Sequence, residues 1–128
     1  MVLGWMLDRP VPPRAYRVRD LIISGKRPVV PALWNYEVSN AVVISERRRR
    51  LTVEQAKTLT EDLEEFSHFV QIDPLLVRVR VLIETARRTN LTIYDSAYLE
   101  LALRRRLPLA TLDDKLREAA RRDGVEVI

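Results

Sequence analysis

No cysteine occurs in the 128 residues, which excludes disulfides, thiolate zinc sites and cysteine nucleophiles and lends no support to export into an oxidising compartment. Histidine occurs once, at His68. A Ser-His-Asp triad would have to use it, yet it lies near an expected helix end, where a cation suits the terminal dipole, so it is given no catalytic role. Long apolar runs are missing too: none approaches the roughly 18 residues that a membrane-spanning helix needs, and no basic segment precedes the short apolar stretch at the N-terminus. A soluble, cytoplasmic protein is expected. With no linker, repeat or low-complexity tract and 47% hydrophobic residues, the chain suits one domain, 1–128, around one core.

What the chain has is positive charge. Its net charge is +4 and its pI about 9.8, and arginine far outnumbers lysine among the 22 basic residues. The planar guanidinium fork matches phosphate, which points to RNA or DNA as a partner. The clusters at Arg47 to Arg50, Arg87 and Arg88, Arg104 to Arg106, and Arg121 and Arg122 all fall near expected helix ends, where they also favour the dipole and solubility. No convincing helix-turn-helix segment supports a duplex-DNA regulator.

Prolines and caps punctuate the rest. Pro12 and Pro13 open a helix that runs to about Ser24 and stops at Gly25; Val29 and Val30 form a short buried strand. Apolar spacing predicts a helix from Ala32 to about Arg49, and Thr52 with Gln55 makes a capping box for the next, whose stripe includes Ala56, Leu59, Leu63 and Phe66. A strand at 70–72 follows. Residues 77–81 alternate like a strand, but Asp73 as cap and Pro74 at the first helical position decide for a helix from Pro74. Thr92 caps a helix from Ile93 to about Arg106, Leu109 and Ala110 form a short strand, Lys115 to Arg122 a helix, and Val125 to Ile128 a final strand. Strands alternating with helices imply an α/β fold with a largely parallel sheet covered on both faces.

Ligands of such sheets gather beyond the carboxyl ends of the strands, where Glu37, Asp95 and the Asp113/Asp114 pair are expected at helix starts. Each has a plain alternative. Glu37 stands at the border of a buried helix face, with Asn40 one turn on, and is either solvated or compensated by a partner or cation. Asp95 completes a Thr-x-x-Asp capping pattern with Thr92, and an acid in a first turn is favoured by roughly 0.3 to 1 kcal/mol regardless. Thr111 or Asp113 can cap the last helix, which leaves one aspartate spare. Gathered together, such carboxylates repel unless protons or a divalent cation intervene, and an oxygen-only set suits magnesium or manganese rather than zinc.

Three segments, LGWMLDRP near the start, VVPALWNYEVSNAV at 29–42 and LTIYDSAYLELALRRRLPLATLDDKLREAARRDGVEVI at 91–128, resemble the PIN-domain nucleases, in particular the VapC-type toxins of toxin–antitoxin pairs. The resemblance implies a three-layer α/β/α fold and a magnesium- or manganese-dependent endoribonuclease, dimeric and inhibited by a cognate VapB-like antitoxin. It assigns Glu37, Asp95 and Asp113 as metal ligands, Thr111 as a substrate-positioning or supporting hydroxyl and Asn40 as a helper beside Glu37; Asp114 ranks below Asp113. Relatives commonly begin with a strand ending in an Asp-Ala-Ser-like motif, whereas this chain begins inside the segment like LGWMLD. The first strand and its aspartate are therefore expected to be lacking. Three explanations stay open: a start placed too far downstream, a truncated and catalytically impaired protein, or re-use of VLGWML as the strand with Asp8 as substitute acid. Trp5 and Leu7 fit the helix best, which favours the first two and puts Asp8 outside the site. The expected function is RNA hydrolysis as a toxin; the rival is an impaired module that binds an antitoxin or partner chain without cleaving.

Overall fold

The structure, a computed structural model, describes residues 10–128; Asp8 and the choice between strand and helix for the first residues lie outside them. Helix α1 spans Pro13–Ile23, with proline in its first turn and Gly25 at φ +94°, a left-handed conformation that glycine adopts without a Cβ clash. Strand β1 (Val29–Pro31) leads into α2 (Trp34–Arg47), followed by α3 (Val53–Ser67) and β2 (Gln71–Asp73). Helices α4 (Val79–Thr89), α5 (Ile93–Arg105) and α6 (Asp114–Arg122) complete the order. β1 and β2 pair in parallel, Val30 opposite Ile72. Leu109 and Val127 form a parallel bridge rather than the two short strands expected there. The α/β class with a small parallel sheet is as expected. Among the described residues no helix is long and apolar enough to cross a membrane.

Two apolar clusters hold these elements. In the first, Trp34, Val38 and Val42 recur every fourth residue on α2 and meet Ala56, Leu59 and Leu63 of α3 over Val30 and Val70. The Trp34 and Phe66 rings lie 6.3 Å apart at 45°, a tilted pair. The capping box of α3 forms as the sequence predicts: the Gln55 N–H donates to Thr52 Oγ1 at 3.1 Å and the Thr52 N–H to Gln55 Oε1 at 2.9 Å. His68 caps the other end and is exposed, its carbonyl accepting from Arg27 Nη2 at 3.3 Å. The second cluster joins Leu99 and Ala102 of α5 to Leu116, Ala119 and Ala120 of α6, with Leu109 and Val125 beneath. Helix α5 is central, packing against α4, α6 and β1.

One expectation fails at the end of β2. Helix α4 begins at Val79, not Pro74, and Asp73 does not cap it. Asp73 ends the strand, 2% exposed, and its carboxylate accepts from Arg104 Nη2 at 3.2 Å, Arg105 Nη1 at 3.2 Å and the Leu75 N–H at 3.0 Å. Asp73 keeps the local bond to the Leu75 N–H, but its charge is answered by the last turn of α5 and the chain after it does not continue into a helix. Residues 74–78 are irregular, leaving Leu75 and Leu76 exposed. A second tie fastens the last turn of α4 to the residue after α6, Arg88 donating both terminal nitrogens to Asp123 at 2.6 Å.

Burial pushes the Asp73 carboxyl up, but the Arg104 hydrogen bonds, the Leu75 N–H and the charges of Arg104 and Arg105 outweigh it and hold the group below its ordinary 3.8. A carboxylate lowered on folding stabilises the fold above its unfolded pKa, and that contribution is lost as pH falls through the folded value. Asp73→Asn is expected to cost about 1–3 kcal/mol at neutral pH, less than for a fully buried pair because both arginines reach solvent. Urea unfolding between about pH 5 and about pH 2 should show a smaller acid loss in the variant than in the wild type. Equal acid sensitivity would remove Asp73 from this role.

Candidate functional site

Glu37 sits in the first turn of α2, Asp95 in the first turn of α5, and Asp113 at the N-cap of α6. All three occupy helix starts, where an acid side chain gains from the dipole and from free N–H groups. Thr92 caps α5: its Oγ1 accepts from the Asp95 N–H at 3.1 Å and donates to Asp95 Oδ2 at 2.7 Å, so the cap also sets the carboxylate's rotamer. Asp113 Oδ1 accepts from the Leu116 N–H at 2.8 Å, and the Asp113 N–H donates to Thr111 Oγ1 at 3.0 Å. Thr111 is buried, its hydroxyl held by the Asp113 backbone.

The sequence reading missed Tyr98. Its hydroxyl donates to Glu37 Oε2, across 61 residues of chain. Burial pushes its phenol well above the ordinary value of 10, and the Glu37 hydrogen bond, the Glu37 charge and the Asp95 charge push it further. Tyr98 follows Asp95 by three residues, so the two share a face of α5, and the phenol is bonded to the α2 carboxylate while also feeling the charge of the α5 one. That spacing was the available signal. A half-buried Glu37 is thereby compensated by a hydroxyl, not left unpaired.

Asp95 and Asp113 both line a cavity of about 500 Å³ together with Thr92, Asp114 and Lys115. Asp95 is therefore related to Glu37 through Tyr98, on which both charges act, and to Asp113 through the cavity that both line. Among the described residues no three acid or histidine side chains are placed to hold a metal together. These acids still suit a hard, strongly hydrated cation, since magnesium commonly takes one or two carboxylates and keeps several waters. Asp114, the spare acid, accepts from Arg14 Nη1 at 3.4 Å. Asn40 is exposed one turn beyond Glu37 and makes no described hydrogen bond to it.

A tyrosine raised on folding stabilises the fold below its unfolded pKa, and that contribution is lost as pH rises through the folded value. In a phenolate absorbance titration, the difference between wild type and Tyr98→Phe should place Tyr98 ionisation above that of an unfolded tyrosine, and Glu37→Gln should move it down. No movement in Glu37→Gln would mean that the two side chains are not coupled.

Comparison with known proteins followed the same lines. The family model described as PIN domain matches residues 5–122. The crystal structure of PAE2754 from Pyrobaculum aerophilum is similar, with a TM-score of 0.67 at 22% identity over 82% of this chain and 75% of that one. No curated protein matches.

Proposed function

Because this chain belongs to the PIN-domain family, whose members are typically metal-dependent nucleases, we propose that it is a magnesium- or manganese-dependent endoribonuclease acting as a VapC-like toxin. The observation that supports the reading best is that Asp95 acts with Glu37 on the Tyr98 phenol and lines one cavity with Asp113. Asp95 is the central ligand in this proposal, Glu37 and Asp113 the flanking ones. A divalent cation, if held there by Asp95, Glu37 and Asp113, would supply a more acidic water and offset charge on the scissile phosphate.

The chain's own groups do the rest. Thr92 holds the Asp95 carboxylate in one rotamer, so less freedom is lost when a ligand arrives. Tyr98 keeps a proton on the Glu37 carboxylate's face, relieving repulsion between the acids and orienting Glu37. Thr111 fixes the Asp113 backbone, and the α6 cap spends one oxygen of Asp113 and leaves Oδ2 free to face the cavity ligand. Asn40 is a lesser helper. A homodimer and a VapB-like antitoxin as regulator complete the proposal, which follows the family resemblance.

A second reading has its own support. With no three-acid cluster among the described residues, a module that binds a partner without cleaving is the alternative. Cleavage of single-stranded RNA should require magnesium or manganese, stop in EDTA, and fall on the order of 100-fold in Asp95→Asn. Full cleavage in EDTA and in Asp95→Asn would defeat the nuclease mechanism. Calorimetric manganese binding that is lost in Glu37→Gln would count against the non-catalytic module.

A further inference from the structure

Beside the cavity, α6 carries a concentration of positive charge that the acid site does not use. Asp114, Arg117 and Arg121 recur at helical spacing on one face, and Arg14, from the first turn of α1, is brought onto that face by its ion pair with Asp114. Arg117 is only 9% exposed, and among the described residues its Nε has no hydrogen-bond partner. Burial lowers its pKa, the charges of Arg14 and Arg121 lower it further, and Asp114 opposes them. The Asp114 carboxylate that offsets Arg117 is itself 81% exposed and already bonded to Arg14.

A buried cation flanked by two others is disfavoured unless an anion completes the site. Asp114 also lines the cavity that holds Asp95 and Asp113, so the charge excess borders the acids directly. We propose that Arg14 and Arg121 at the surface, with Arg117 beneath them, form a subsite for a backbone phosphate of single-stranded RNA next to the one cleaved. The choice of RNA as ligand rests on the nuclease reading; the unbalanced charge does not. Arg14 and Arg121 contact the phosphate, and Arg117 acts from beneath them through the field it adds. Phosphate binding draws Arg14 away from Asp114 and leaves that carboxylate to the solvent, where it is already exposed.

The test is binding of a fluorescein-labelled single-stranded RNA in EDTA, so that cleavage plays no part, across a salt series. Arg14→Gln and Arg121→Gln, both at exposed positions, should each weaken binding on the order of tenfold and reduce the log–log salt slope by about 0.7. Arg117→Met should weaken binding as well while raising Tm, because it removes an uncompensated buried charge; a purely structural arginine would lower Tm. Unchanged affinity and slope in all three variants would overturn the subsite, as would a lower Tm in Arg117→Met with RNA binding intact. Cleavage that fails while these binding effects persist would defeat only the nuclease reading, and cleavage without any slope effect only the subsite.

Discussion

A carboxylate shut away at the end of a strand has to be met by cations, and Asp73 is met by two arginines from the last turn of α5. That requirement fixes where α5 ends relative to β2. Because an α-helix is stiff, it also fixes where α5 begins: Asp95 lies about 14 Å back along the axis from Arg104, with Tyr98 one turn inside it. The apolar face of α5, through Leu99 and Ala102, sets its rotation against α6. Length and rotation together aim Tyr98 at Glu37 and Asp95 at the cavity.

The site is economical in that groups which start helices also present acids. Thr92 and Asp113 satisfy backbone N–H groups and, in doing so, immobilise the carboxylates about the cavity. Compensation of charge follows three different routes. Glu37 is answered by a phenol, Asp73 by paired guanidiniums and Asp114 by a solvated arginine. Arg117 is the exception, buried and, among the described residues, without a hydrogen-bond partner for Nε.

How much could be read before folding depended on how far apart the partners lie in the chain. The caps at Thr52 and Thr92 were legible because each bond spans three residues. So were the helix stripes of α2 and α3, because periodicity is a local property. The start of α4 was misread because Asp73 and Pro74 make a good local cap, and nothing nearby announces that Asp73 is claimed by Arg104, 31 residues on. The terminal strands were overread for a related reason: short apolar stretches have strand character, but their extent depends on a neighbour to pair with, and only Leu109 and Val127 form a bridge.

The same division runs through the functional residues. Residue types, spacing and resemblance were enough to single out Glu37, Asp95 and Asp113 and to anticipate an α/β arrangement, since these follow from local propensity and from motif. Which acids share a cavity, that Tyr98 is bonded to Glu37 while also feeling the charge of Asp95, and that Arg14 reaches Asp114 over 100 residues were decided by tertiary structure alone. Electrostatic partners are chosen by distance in space, and a linear order of residues carries no measure of that distance until the core has packed.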